Sequence, residues 1–528
     1  MPDPMGDEVS ASTTPAAPKA GFASAAASGS AWTTLQTVGN KLVTVFAMLV
    51  LARLLTPAEF GLANLAASIG AFTFIFAPFV MGDVLLAEPK RFDELAGTAR
   101  AIAWAAGGFL FVLLAAAAVP IESMSGKAGL ALLLAAVVAQ RPLADAAFMV
   151  PNARLRVALA YRSIAIIDGG VILFCTIGGV ALAYFGAGPS ALIFPPIAMI
   201  WLRAFFYARA RKHPVAPIDR SLVAPLVRRF SVAASAQYLN NMILCVDVLV
   251  LSFFASETEI GLFGFAAQLA MQANVVIAHQ LGAVLQPIFA HIRGDHLRQV
   301  GGFVRATRLL SAVAVPLSLT QAALAIPAFT WLFSAKWNGS IAAFAALSVG
   351  QTFVFVMAPS IALLKAQGRF RVYFVLQLAQ LVAAMVAFVT ATTIGGPVAL
   401  KLAEAIGLPV DPNAGSALAL SLASALVWAV SCPVAVWIAG RPARLGLRTT
   451  LAIFSAPWLA TAPIAAALVW IWWMLRCSIS AGTADILAVV LLGPIAASLS
   501  IAVCISMRAE TRADFLSILQ RFLRRKAK

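Results

Sequence analysis

Apolar residues run along this chain in blocks of about twenty, the length a helix needs to cross a bilayer, with short polar connections between them. Fourteen such blocks lie near 31–52, 61–82, 99–120, 127–150, 163–185, 187–208, 230–255, 260–290, 309–333, 340–364, 372–395, 415–439, 450–475 and 483–507. They show no alternation of period two, and they are too long for membrane β-strands. In hydrocarbon every backbone polar group needs an internal partner, so each block reads as a helix. The predicted fold class is an all-α polytopic membrane protein with about 14 transmembrane helices.

Composition closes off other classes. Of 528 residues, 62% are hydrophobic and 11% charged, with a mean hydropathy of +0.92. Soluble domains carry about 25% charged residues. The longest hydrophilic segments are residues 1–30, 209–230 and 508–528, which leaves no room for a soluble catalytic domain. No enzyme activity and no cofactor are therefore expected. The five cysteines, Cys175, Cys245, Cys432, Cys477 and Cys504, lie in or beside apolar runs with no metal-ligand spacing, so they read as reduced packing residues.

The net charge of +17 would suggest nucleic acid in a soluble protein, but its distribution gives a different reading. Of 38 Lys and Arg, 30 fall in the termini and the even-to-odd connections. Five, Arg53, Lys127, Lys336, Lys401 and Arg476, fall on the opposite side, and Lys41, Arg141 and Arg203 lie within spans. Cytoplasmic loops carry the excess of Lys and Arg, so both termini are expected in the cytoplasm and no nucleic-acid partner is expected. Trp331, Trp337, Trp470, Trp472 and Trp473 fall at the external ends, where an aromatic belt is expected. Residues 1–30 lack a basic segment followed by a short apolar core, so they read as a disordered tail and not as a cleaved signal peptide. In 508–528, Phe515, Leu516, Leu519, Phe522 and Leu523 share one face among basic residues, which predicts an interfacial helix on membrane lipids.

A shift of 200 residues aligns span one with span seven without a gap. Asn40 meets Asn240, Leu49-Val50-Leu51 meets Leu249-Val250-Leu251, Glu59 meets Glu259, and Gly61-Leu62 meets Gly261-Leu262. A second echo sets Arg154-Leu155-Arg156-Val157 against Arg369-Phe370-Arg371-Val372. Six spans separate the copies, so the halves share one orientation. This predicts two parallel six-helix lobes, 31–208 and 230–439, joined by a basic cytoplasmic linker at 209–229 and followed by two additional helices within 450–507. Parallel lobes about an axis normal to the membrane place a path between them, as in transporters.

The segment LeuAlaArgLeuLeuThrProAlaGluPheGlyLeuAla at 51–63 resembles the signature of polysaccharide exporters, the Wzx-type oligosaccharide flippases of the multidrug/oligosaccharidyl-lipid/polysaccharide (MOP) superfamily. The ArgLeuArgVal step and GluIleGlyLeuPhe at 259–263 fit the same pattern, so the similarity spans about 30–440. The resemblance implies a V-shaped pair of lobes that rock between inward-open and outward-open states. The implied cargo is a lipid-linked oligosaccharide, usually on undecaprenyl diphosphate, moved from the cytoplasmic to the periplasmic leaflet of a bacterial inner membrane. The implied partners are a polysaccharide polymerase and glycosyltransferases. Three other readings stay open: a cation-coupled multidrug antiporter, a lipid II flippase, and an integral-membrane polysaccharide polymerase. The last would need acid, base or metal-binding residues outside, whereas the largest external connection, 396–414, carries only Lys401, Glu404 and Asp411 as charged residues.

Ionisable and amide side chains within the spans mark the candidate site, because a charge there costs about 2.5–3.5 kcal/mol on insertion scales. Lys41 lies about 15 Å into span one, near the midplane. Thr33, Gln36, Thr37, Asn40 and Thr44 surround it on one face, which suits a solvated cavity and makes Lys41 a counter-charge for a diphosphate. The structural alternative pairs Lys41 with Asp247. In span eight Gln268, Gln272, His279 and Gln286 form one stripe that reads either as a polar path or as interhelical glue. Gln237, Asn240, Asn241 and Asp247 share an arc of span seven and are expected to face the same cavity. Arg141 and Asp145, four apart in span four, can pair along one face, with Arg141 a second cation for the cavity. Asp168 and Arg203 read as structural, and prolines at 78, 142, 195, 196, 287, 316, 359 and 457 read as bends or kinks.

Overall fold

The computed structural model describes residues 39–71, 81–82, 85, 91–158, 160–210, 217–243, 245–272, 289, 296–405, 407–409, 411–443, 445–507 and 512–513. Among them every regular element is a helix. In chain order these are α1 (39–54), α2 (Pro57–Ala71), α3 (Phe92–Ser125), α4 (Leu130–Val157), α5 (Tyr161–Tyr184) and α6 (Ser190–Ala210). There follow α7 (Val223–Ile243, resuming as Val246–Ser252), α8 (257–272), and α9 (His296–Ala323, resuming as Ala325–Leu332). The remainder are α10 (Ser340–Ala366), α11 (Phe370–Thr390 running on to Ala405), α12 (Gly415–Gly440), α13 (Leu447–Ser478) and α14 (Ala481–Ser506). Ten of them, α3 to α6 and α9 to α14, are long and apolar enough to cross a membrane. The chain is a multi-pass membrane protein.

Packing repeats along the chain. α3 lies on α4 and α4 on α6, as α9 lies on α10 and α10 on α12; α5 contacts α6 as α11 contacts α12. The last two helices, α13 and α14, pack against α9 and each other. Asp485 of α14 fixes that attachment: it is buried and accepts from Thr330 Oγ1 at 2.7 Å and from Trp472 Nε1 at 2.8 Å.

Helices α4, α11 and α14 each contain a π turn, at Leu133–Val137, Ala391–Gly395 and Ala488–Leu492. A proline follows each within a few residues: Pro142, Pro397 and Pro494. A proline has no N–H to give and its ring presses on the carbonyl four residues back, so a widened turn there relieves the clash without ending the helix. This overturns one expectation. The span near 372–395 is expected to give way to an external connection at 396–414, yet the helix passes through the π turn and continues as Gly396–Ala405. The prolines expected at 142, 195, 196, 316, 359 and 457 all lie within helices, whereas those at 78 and 287 fall outside the described residues.

The largest apolar core sits on the seam between the first six helices and the second six. It joins Met48, Ala52, Leu55 and Phe60 to Ile260, Phe263, Phe265, Phe329 and Trp337. The backbones of α2 and α8 meet there with no side chain between them. A Cβ on Gly61 would lie 1.8 Å from the Glu257 carbonyl oxygen, and one on Gly261 would lie 1.7 Å from that of Pro57. The four residues are pairs of the 200-residue repeat, so the repeat meets itself across a local twofold axis. Matching N-caps flank it. Glu59 Oε2 accepts from Thr56 N at 2.7 Å, and Glu259 Oε2 from Ser256 N at 3.3 Å, each a capping box that opens its helix.

Trp337 corrects the reading of an external aromatic belt. It is 0% exposed, stacks on Phe265 with centroids 4.0 Å apart, and donates Nε1–H to the Ala52 carbonyl at 2.7 Å. An indole that finds an acceptor at a helix end packs as core. Trp472 is likewise buried, whereas Trp470 and Trp473 are about 60% exposed and keep the belt position.

Candidate functional site

A cavity of about 560 Å³ opens among α1, α2, α4, α5, α6 and α8. Most of its wall is apolar, made of residues such as Met48, Leu51, Ile172 and Ile197. Its polar groups are Thr44, Asn64, Arg141, Thr176, Gln268 and Gln272, joined by the thiol of Cys175. An apolar enclosure with a few convergent polar heads is the usual form of a ligand site between helices.

Each polar head is held by its element. The π turn at Leu133–Val137 and a following 3₁₀ turn at Val138–Gln140 deliver Arg141 to the first residue of the α-helical run Arg141–Val157. Arg141 Nε lies 3.3 Å from Asp145 Oδ2, one helical turn on. The guanidinium side chain is 35% exposed and the carboxylate 10%, so the cation faces the cavity and the anion lies behind it. Among the described residues that line this cavity, Arg141 is the one charged side chain. From the second half, α8 brings Gln268 and Gln272, one turn apart on one face. Gln268 Nε2 donates to Asn64 Oδ1 at 3.0 Å, a hydrogen bond across the seam. Asn64 comes this close because α8 has glycine opposite: a Cβ on Gly264 would fall 2.2 Å from Asn64 Nδ2. Asn64 Nδ2 and Gln272 Oε1 are buried and have no hydrogen-bond partner among the described residues.

Of the residues expected from the sequence, the cavity brings together Arg141, Gln268 and Gln272. Lys41 and Asn40 are half-buried on α1 and do not line it; Lys41 lies three residues, about one turn, before Thr44, which does. Lys41 and Asp247 form no ion pair among the described residues; Asp247 Oδ1 accepts from the Val248 backbone N–H at 2.7 Å. Asn241 on α7 is half-buried and lines no part of this cavity. Gln36, His279 and Gln286, and the side chains of Gln237 and Asn240, lie outside the described residues. Asp168 and Arg203 pair at 3.0 Å, with Tyr207 donating its hydroxyl to the same carboxylate oxygen at 2.7 Å.

Asn64 and Thr176 are the polar lining residues that the sequence did not single out. Asn64 is an isolated amide among the small and apolar residues of mid-helix α2, and its partner Gln268 lies 204 residues away. One signal existed: in the 200-residue register Asn64 faces Gly264, the large-for-small exchange that lets two symmetry-related helices touch.

The fold is thus that of a helical membrane protein with a repeated half, a seam on the repeat axis and a cavity beside that seam. The chain belongs to the family described as polysaccharide biosynthesis protein, whose model matches residues 50–342. Two solved structures share the fold. One, described as the lipid II flippase MurJ in an inward closed conformation, is 12% identical with a TM-score of 0.66, over 90% of this chain and 98% of that one. The other is the inward-facing conformation of a multidrug resistance MATE family transporter of the MOP superfamily. It is 13% identical with a TM-score of 0.58, over 77% of this chain and 96% of that one. No curated protein sequence matches the chain.

Proposed function

We propose that this protein is a flippase that carries an undecaprenyl diphosphate-linked oligosaccharide from the cytoplasmic to the periplasmic leaflet of a bacterial inner membrane, for surface polysaccharide synthesis. The observation that carries the reading is the cavity beside the seam, whose charged lining residue is a cation turned inward while its carboxylate partner sits behind. A planar guanidinium in a water-poor site recognises phosphate oxygens by charge-assisted, bidentate hydrogen bonds. The amides of Asn64, Gln268 and Gln272 and the hydroxyls of Thr44 and Thr176 suit sugar hydroxyls. In this reading Lys41, Gln36, Asn40, Gln237, Asn240, Asn241 and His279 complete a polar path from the cytoplasmic side. The halves 31–208 and 230–439 rock as lobes about the Gly61–Gly261 contact. Family membership supports the pathway, and the absence of an acid among the described lining residues favours an anionic cargo over a cationic drug.

Deletion of the gene tests this. The expected outcome is loss of surface polysaccharide with lipid-linked oligosaccharide accumulating on the cytoplasmic leaflet. Normal surface glycan with altered drug sensitivity would overturn the reading in favour of an antiporter, and blocked peptidoglycan synthesis would replace the cargo with lipid II.

A further inference from the structure

Two lysines reach across the seam in the same way. Lys127, in the connection between α3 and α4, donates Nζ–H to the carbonyl of Ala255, just past the end of α7, at 2.8 Å. Lys336, in the connection between α9 and α10, donates Nζ–H to the carbonyl of Arg53, at the end of α1, at 2.9 Å. Each thus comes from the third connection of its own half and lands on the exit of the other half's first helix. The loops that hold them are built differently. Gly126, at φ +65, caps α3 and turns the chain so that Lys127 points across; Lys336 sits on a 3₁₀ turn, Ala335–Trp337, whose Trp337 takes the neighbouring carbonyl of Ala52. The two loops share almost no sequence, so the likeness of the contacts is one of position. The acceptors share a character: the last carbonyls of a helix lack intrahelical partners and carry the negative end of its dipole, so an ammonium is favoured there. At Lys336 the contact is partly desolvated, and burial lowers that lysine's pKa while nearby Glu59 raises it.

These bonds close the side of the seam that the charge asymmetry assigns to the exterior. No side chain separates Gly61 from Gly261 at its centre, so the lobes cannot part there without also pulling both lysines off their carbonyls. We propose that Lys127 and Lys336 are paired gating residues, one latch on each side of the local twofold axis, and that both release when the cavity opens outward. The inference concerns the opening step and holds for any cargo.

The test uses the full-length protein with its five cysteines replaced and Thr44→Cys placed in the cavity, probed with an impermeant maleimide in intact cells and in inverted membrane vesicles. Lys127→Met and Lys336→Met keep the aliphatic stems and remove the charge. Each is expected to raise labelling from outside the cell about tenfold, the scale of one charge-assisted hydrogen bond, and the double variant about a hundredfold if the latches act independently. Lys127→Arg and Lys336→Arg keep the donor and the charge and should label as the parent does. If a Met variant fails to elute as folded protein in detergent, Lys127→Gln and Lys336→Gln keep a donor and should give an intermediate rise. Unchanged labelling in the folded double variant would overturn the proposal, because a lysine that merely stabilises the fold alters melting temperature without favouring one side. A rise confined to inverted vesicles would overturn it equally.

Discussion

Removing Arg141 alone strands Asp145, a buried carboxylate with the guanidinium as its paired cation. Breaking a buried pair from one side costs about 3–5 kcal/mol, so Arg141→Ala is expected to lose membrane abundance as well as transport. The double substitution Arg141→Ala with Asp145→Ala removes the stranded charge. Its abundance should return while export of surface polysaccharide stays low, and export recovered along with abundance would make the pair purely structural. Lys41 calls for a separate comparison, since it sits one turn from the cavity wall. A carboxylate on an anion path repels cargo, so Lys41→Glu should lower export well below Lys41→Ala at matched abundance. Equal export by both would remove Lys41 from the path. These residues show what a sequence reveals at this scale. Arg141 and Asp145 were legible because they are four apart in one helix, and Gln268 and Gln272 because they stripe one face. Asn64 was not, since its meaning depends on a partner 204 residues distant. Trp337 was misread because its position in the chain says external end, while its burial depends on the carbonyl of Ala52 from the other half.

Helix-sized features were read with more success. Apolar length alone located the ten helices that, among the described residues, are long and apolar enough to cross a membrane, because lipid leaves a helix few alternatives. Proline positions were legible, but their consequence was not, since a π turn is a local adjustment that keeps the helix going past Pro397 where the pattern suggests a stop. The glycines of the repeat make a sharper case. Gly61 and Gly261 align by number in the sequence, and in the structure they touch. Gly61→Ala would drive a methyl group to 1.8 Å from a backbone oxygen, which no side-chain rotation can relieve. Overpacking costs about 1–3 kcal/mol or more, so the variant should melt lower in detergent or be held with its seam apart. Gly108→Ala, within α3 and with nothing inside 4 Å of its Cβ, is the control. Ala is favoured over Gly in a helix by about 0.5–1 kcal/mol, so that variant should melt at or above the parent temperature. Equal melting temperatures and equal external labelling for the two variants would show that the helices do not meet in the membrane as described.

The whole molecule must be oriented before any of its motions have direction. An even number of spans between the two copies of the repeat gives both halves the same orientation, and the local twofold at Gly61 and Gly261 agrees with that parallel arrangement. From the bias of 30 Lys and Arg to five we propose that the seam, with Lys127 and Lys336, faces the exterior and the connection through 209–229 the cytoplasm. Ile218 is 62% exposed in that connection, and Lys401 is exposed on the far stretch of α11. In a cysteine-free background, an impermeant thiol reagent added to intact cells should label Lys401→Cys and leave Ile218→Cys unlabelled until the membrane is permeabilised. The reverse pattern would invert the molecule, making the seam a cytoplasmic gate and the transport direction inward. Labelling of both sites in intact cells would break the even count itself, and with it the parallel halves on which the transport reading depends.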